Sequence, residues 1–294
     1  VTAALEADGL GLRYGRSWAL ADCTLEIPAG RVVGLVGANG AGKTTLLSLA
    51  SGQLTPSAGS ISVLGGRPGS GRVQLAKVGF VAQGTPTYAG LSVRDHLRLG
   101  AKLNPAWDDA LAQARIRRLG LDPRRRARQL SGGQRAQLAL TLGLAKRPEL
   151  LLLDEPVAAL DPVARREFFG SLMEAMAEND LTVMLSSHLV ADLERLCDYL
   201  VVLAESRVVL AGSVDELLAT HHRLTGARRE GSRIPRSHKV ICASHTERHS
   251  TLIVRAREPL LDPTWTVSRL TLEDLVIAYM VAAPPDRTLL GVAQ

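Results

Sequence analysis

The segment Gly37-Ala38-Asn39-Gly40-Ala41-Gly42-Lys43-Thr44 constrains this chain more than any other. It fits G-x-x-x-x-G-K-[ST], a loop that wraps phosphate. The apolar run Val32-Val33-Gly34-Leu35-Val36 before it reads as a buried strand, and Lys43-Thr44-Thr45-Leu46-Leu47-Ser48-Leu49-Ala50 reads as a helix. Glycines let the backbone curl until successive N–H groups face one anion. The helix start adds unpaired N–H groups and the positive end of a dipole. Lys43 would bring charge to the β- and γ-phosphates, and the Thr44 hydroxyl could ligate Mg2+. An ordinary Gly-rich turn needs neither Lys nor Thr in this register, so nucleotide binding is expected.

The elements around the loop set a fold class. Residues 3–14 and 18–27 read as strands about a turn at Gly15-Arg16. Residues 61–63 and 78–81 follow as strands, separated by a Gly-rich connection at 65–71. From about residue 85 to 147 the pattern is helical, with Val93, Leu97, Leu99, Leu111 and Ile116 as its apolar positions. Pro105 and Pro123 punctuate it. Leu150-Leu151-Leu152-Leu153, closed by Asp154, reads as a buried parallel strand. A helix is expected over 162–178 with Pro162 in its first turn, then a strand over 181–186 and a helix over about 189–196. Strands over 199–204 and 207–211 and a helix over 213–220 complete the series. Such alternation predicts an α/β domain with a mainly parallel sheet.

Residues 221–239 are polar, basic and aperiodic, and read as a linker. Beyond them, 240–243 and 251–254 read as strands. Thr271-Leu272-Glu273-Asp274 has the form of a capping box. The helix it would start carries Leu272, Leu275, Val276, Tyr279 and Met280 on one face. A small C-terminal α+β region over 240–294 is therefore expected, and no internal repeat signals a second nucleotide domain.

Composition narrows the class further. Aromatic residues make up 3% of the 294, against 46% apolar, so the core must be aliphatic. No apolar run approaches the roughly 20 residues that cross a bilayer, and the first residues lack the basic and apolar regions of a signal peptide. Cys23, Cys197 and Cys242 show no paired or metal-binding spacing, which fits a reducing cytosol. The net charge of +6 is carried mainly by arginine. One cluster comprises Arg115, Arg117, Arg118, Arg124, Arg125, Arg126 and Arg128, and another Arg223, Arg228, Arg229, Arg233, Arg236 and Lys239. Neither is interleaved with aromatics, which favours solvated surface over specific nucleic-acid binding.

Two further motifs carry chemistry. Asp154-Glu155 places carboxylates at the end of a buried strand, where one can hold Mg2+ through water and the other polarise an attacking water. Leu130-Ser131-Gly132-Gly133-Gln134 holds a capping box, Ser131 to Gln134, around two glycines. Capping alone does not call for them. Glycines strip side chains from a helix start and expose its N–H groups, giving a second anion-binding face. One phosphate loop with two phosphate-binding faces suggests that the faces meet in a dimer.

With these residues assembled, the chain resembles the ATP-binding subunit of ATP-binding cassette (ABC) transporters over about residues 3–220. Gly37 to Thr45 resembles Walker A, with Gly37, Ala38, Asn39, Gly40, Ala41, Gly42, Lys43, Thr44 and Thr45 as its members. Gln83 is similar to the Q-loop glutamine, Leu130 to Gln134 to the LSGGQ signature, and Leu150 to Glu155 to Walker B. Ala159-Leu160-Asp161 resembles the D-loop, with Ala158 where the family usually has serine. His188 resembles the switch histidine, and Tyr14 the adenine-stacking aromatic. Alone, Tyr14 would read as a strand-face residue, Gln83 as a loop glutamine and His188 as a helix-start histidine; the ordered set favours the functional readings.

The resemblance implies a P-loop NTPase of the ABC type, with a cassette over 1–220, a helical subdomain at about 85–147 and the C-terminal α+β appendage over 240–294. It implies an ATPase with ATP and Mg2+ as cofactors, Glu155 and His188 as catalytic residues, and Thr44, Gln83 and Asp154 around the metal. Ser131 and Gly133 would contact the γ-phosphate held by a second subunit, and Gly132, Gln134 and Asp161 complete the cofactor-binding set. It further implies a homo- or heterodimer docked through the region after Gln83, including 93–97, onto a separate transmembrane permease at the cytoplasmic membrane face. The stretch 272–280 is similar to the tail of many exporter-type subunits. A soluble ABC-type ATPase acting on ribosomes or nucleic acid is the alternative. Such relatives usually join two cassettes or carry long coiled coils, and neither is in this sequence. A sensor role for 240–294 is a third reading, against simple packing or dimer contact.

Overall fold

A computed structural model describes residues 3–178, 180–228, 238–256 and 262–283. Strands β1 (Ala3–Tyr14) and β2 (Ser17–Pro28) lead to β3 (Val32–Gly37) and helix α1 (Lys43–Ala50). Next come β4 (Ala58–Val63), α2 (Arg72–Lys77) and β5 (Val78–Val81). Helices α3 (Val93–Leu103), α4 (Asp109–Arg118) and α5 (Gly132–Ala145) form the helical region. The chain returns through β6 (Leu150–Leu153), α6 (Pro162–Ala177), β7 (Thr182–Ser187), α7 (Val190–Leu193), β8 (Tyr199–Ala204), β9 (Arg207–Ser213) and α8 (Val214–Thr220). Strands β10 (His221–Ala227), β11 (Lys239–His245), β12 (His249–Arg255) and β13 (Thr266–Arg269) precede α9 (Leu272–Ala282).

The central sheet has the order β5-β6-β7-β3-β8-β9. All its neighbours pair in parallel except β8 and β9. Every residue of β3, β6 and β7 is buried, as expected for parallel strands covered on both faces. One face packs against α1 and the antiparallel sheet β2-β1-β4, through Leu5, Leu10, Leu20, Leu46 and Leu49. The other packs against α5, α6 and, unexpectedly closely, α9. The core is aliphatic, as composition required; Phe168 is its one fully buried aromatic among the largest side chains.

Helices begin where side chains can cap them. Ser92 with Asp95 caps α3, Ser131 with Gln134 caps α5, and Thr271 with Asp274 caps α9, all as reciprocal capping boxes. Helices α3 to α5 close over Val93, Leu97, Ile116, Leu121, Leu130 and Leu138.

The reading of 221–239 as a linker is corrected over its first seven residues. They form β10, an inner strand of the sheet β11-β12-β10-β13. Leu224 is its main apolar anchor, packed with Leu252, Val254 and Trp265, while Arg223 reaches out to Asp274. One leucine among polar neighbours gave the sequence pattern no period to show; the adjoining strands supply the ladder. Residues 229–237, with Arg229, Arg233 and Arg236, lie outside the described residues, as do 257–261 and 284–294 of the expected appendage. The appendage is α+β, but its helix is not separate from the cassette. Leu272, Leu275, Val276 and Ala278 of α9 share one core with Leu193, Leu200, Val202 and Leu217. Strand β13 and helix α2 were not anticipated. No helix among the described residues is long and apolar enough to cross a membrane.

Candidate nucleotide site

The order of the central sheet builds the site. Strand β3 lies between β7 and β8, so the crevice beyond their carboxyl ends is where an α/β sheet takes its ligand. The loop after β3 turns into α1 at Gly42, which has φ 105°. A side chain there would face two barriers, the left-handed backbone and the Ala19 carbonyl, which a Cβ would meet at 2.5 Å. Strand β2 thus backs the loop, and Gly42 lets it lie that close.

Lys43 is 6% exposed, an unusual place for an ammonium group. Its Nζ donates to Gly37 O at 2.8 Å and Ala38 O at 3.3 Å, and faces Glu155 Oε1 at 3.4 Å. Thr44 Oγ1 donates to Asp154 Oδ2 at 2.8 Å. Asp154, 1% exposed, takes a second hydrogen bond on Oδ1 from Ser186 Oγ at 2.7 Å. Ser186 Oγ in turn accepts from the Glu155 N–H at 2.8 Å. Glu155 sits at φ 42°, a left-handed conformation costly for a residue with a side chain. That turn aims its carboxylate between Lys43 and His188, whose Nδ1 lies 2.9 Å from Glu155 Oε2.

Lys43, Thr44, Asp154, Glu155 and His188 therefore converge. Ser186 is the member that sequence reasoning missed. It lies at the end of β7, in register with Leu35 of β3. An apolar strand that switches to serine just before the crevice is the signal that could have found it.

Other candidates stand apart. Gln83 is exposed in the turn after β5. Tyr14 is 57% exposed at the end of β1, and Arg13 beside it lies over the Trp18 ring at 5.7 Å. Ser131, Gly132, Gly133 and Gln134 occupy the start of α5, Ser131 exposed and the other three half-buried, and Ser131 Oγ accepts from Gln134 N–H at 3.1 Å. Gly133 also has a packing reason to lack a side chain: a Cβ there would meet Ala164 Cβ at 2.9 Å. Asp161 caps α6, accepting from the Val163 and Ala164 N–H groups at 2.9 Å each.

The residues present fit a hard divalent cation. Thr44 Oγ1 and the Asp154 carboxylate set oxygen donors side by side next to the phosphate loop. Among the described residues no cluster of three or more His, Cys, Asp or Glu forms a metal cage.

The ABC transporter family model matches residues 20–158. The phosphonates import ATP-binding protein PhnC of Maricaulis maris is 35% identical over 237 residues, covering 73% of this chain and 89% of that protein. The Nod factor export ATP-binding protein I of Rhizobium johnstonii is 34% identical over 223 residues, covering 73% and 71%. The structure of cbiO1 from Clostridium perfringens, part of the ABC transporter complex cbiONQ, superposes with a TM-score of 0.64 at 28% identity, over 74% of this chain and 92% of that one. Motif order, sheet topology and these likenesses agree: the chain belongs to the ABC transporter ATP-binding proteins, and is the ATP-binding and ATP-hydrolysing subunit of a transporter.

Proposed function

We propose that this subunit is one half of an ATP-driven clamp that powers export through a separately encoded permease at the cytoplasmic membrane face. The observation that carries the reading is the separation of two anion-facing surfaces. The Lys43 loop converges with Asp154 and Glu155, whereas the signature Ser131–Gln134, with Ser131 exposed and the next three residues half-buried, sits on another element. Two chains set head to tail would bring the signature of each against the phosphates held by the other. The clamp would span 1–220 together with α9, with the helical region and the segment after Gln83 toward the permease.

In this reading Lys43 and the loop N–H groups hold the β- and γ-phosphates. Thr44 and Gln83 would ligate magnesium, with Asp154 behind water. When bound, that ion offsets phosphate charge. Glu155 takes a proton from the attacking water, and His188 orients it and steadies the γ-phosphate. Tyr14 stacks on adenine. Ser131 and the glycine N–H groups complete the site from the partner, so hydrolysis follows closure. Export is preferred because the α9 sequence resembles the tail of exporter-type subunits.

Sedimentation of the Glu155→Gln variant with and without ATP tests the clamp: ATP-dependent dimers are expected, and a monomer at saturating ATP overturns it. Co-purification with a polytopic membrane protein tests the partner. A subunit that stays free of membrane partners, with ATPase activity stimulated by RNA, would support the ribosome or nucleic-acid alternative.

A further inference from the structure

Strand β6 ends just short of the two carboxylates it delivers. Its parallel ladder with β7 closes at Leu153, opposite Leu185. The next residue of β7, Ser186, stays in the sheet, paired with Leu35 of β3. The next residues after β6, Asp154 and Glu155, have left it. Asp154 N–H still finds a backbone carbonyl, Val81 O at 2.9 Å at the end of β5. Glu155 N–H donates instead to a side chain, Ser186 Oγ, at 2.8 Å.

The hydroxyl that accepts this bond is fully buried, and it donates to Asp154 Oδ1 at 2.7 Å. A hydroxyl has one hydrogen, and an ionised carboxylate only accepts. The hydrogen therefore lies toward Asp154, which leaves a lone pair facing Glu155 N–H. Asp154 is held from its other side by Thr44 Oγ1, which donates to Oδ2 at 2.8 Å. A buried carboxylate thus sets the direction of the Ser186 hydroxyl, and the hydroxyl passes that direction to the backbone of Glu155.

The bond falls where the backbone is least willing. Glu155 has φ 42°, in the left-handed region that side chains disfavour. Its carbonyl accepts from Ala158 N–H at the longer distance of 3.3 Å. Relaxing to a negative φ would redirect the side chain away from Lys43 and His188, which its carboxylate faces at 3.4 and 2.9 Å. Strand β7 lies between β6 and β3, so strand register rather than a loop places the hydroxyl.

We propose that Ser186 is a positioning residue for hydrolysis: its hydroxyl, oriented by Asp154, pins Glu155 in the left-handed turn that aims the carboxylate. The proposal rests on the reading of Glu155 as the base that takes a proton from water. A serine that only finished the strand would matter to stability and not to turnover.

Steady-state ATP hydrolysis by Ser186→Ala tests this, at a temperature where urea unfolding shows variant and parent both folded. The expected result is a fall in kcat of about 10²-fold, the effect of misplacing a catalytic group by about 1 Å. KM for ATP and ATP-dependent dimerisation in sedimentation should be retained. Lower stability with kcat unchanged overturns the proposal, as does a raised KM with kcat unchanged. The second arm compares Glu155→Gln with and without Ser186→Ala. Once the carboxylate is gone, losing the hydroxyl should cost less than about 2-fold, whereas independent effects would multiply. Multiplied losses overturn the proposal. If Ser186→Ala does not fold, Ser186→Cys takes its place with the same readings, since a thiol of similar shape is a weak donor and acceptor. Near-normal turnover of Glu155→Gln alone removes the base reading and this proposal with it. A normal loss there, with multiplied losses in the double variant, removes this proposal alone.

Discussion

The two halves of the proposed clamp are built differently. On the Lys43 side the polar groups are joined to one another around the buried Lys43, Asp154 and Ser186, with Thr44 and His188 at the exposed rim: Lys43 to Glu155, Thr44 to Asp154, Asp154 to Ser186, Glu155 to His188. On the Ser131 side an exposed serine and the half-buried residues after it lie at a helix start, with side chains joined only in their own capping box. One half is organised by the fold of a single chain; the other is offered outward. A change in the first should disturb a lone subunit, and a change in the second should show mainly when two subunits meet.

The largest expected effect separates chemistry from assembly. Glu155→Gln should lower hydrolysis by about 10²- to 10⁴-fold, the usual worth of a general base, while nucleotide binding measured by fluorescence persists. Near-normal turnover would remove Glu155 from the proposed role. Ser186→Ala comes next. It takes a donor from the buried Asp154 and an acceptor from the Glu155 N–H, so a loss of about 1 to 3 kcal/mol is expected in urea unfolding of the isolated chain. An unchanged midpoint would mean that the buried half is less integrated than its hydrogen bonds imply.

Ser131→Ala removes a cap worth about 1 kcal/mol. It should leave ADP affinity of the monomer unchanged but weaken ATP-dependent dimerisation by about 10-fold, the worth of one hydrogen bond to a charged group. Weakened ADP binding would erase the contrast between the halves. The smallest effect lies outside both. His221 is fully buried, with Nδ1 2.7 Å from Leu217 O and Nε2 2.9 Å from the Tyr279 hydroxyl. Burial pushes its pKa below 6.5, against the hydrogen bond to Leu217. The unfolded chain therefore takes the proton first as pH falls. Stability present above about pH 6.5 should decline below it until the lower folded value is passed. His221→Gln should flatten that part of the unfolding midpoint against pH, and an unaltered pH dependence would count against the assignment.

Much of this was legible in the sequence for a physical reason. The phosphate loop, the leucine strand ending in Asp154 and the capped helix starts are local patterns, set by backbone geometry within a few residues. What escaped depends on neighbours distant in the chain. Strand β10 has a weak period because its ladder comes from β12 and β13. Ser186 looks like any strand-end serine until β7 is laid beside β6. Gly133 reads as an anion-binding glycine, yet Ala164 of another helix also requires the space.

The position of α9 carries a consequence for how the molecule is made. Its leucines and valine cover a face of the central sheet whose strands lie earlier in the chain. During synthesis that face, with Leu200 and Val202 on it, stays uncovered until the helix leaves the ribosome. The nucleotide loop and Walker B strand emerge long before their own core is sealed. A nascent chain halted before residue 272 would present sticky apolar surface alongside a nearly complete nucleotide crevice, so α9 acts as the closing stone of this core.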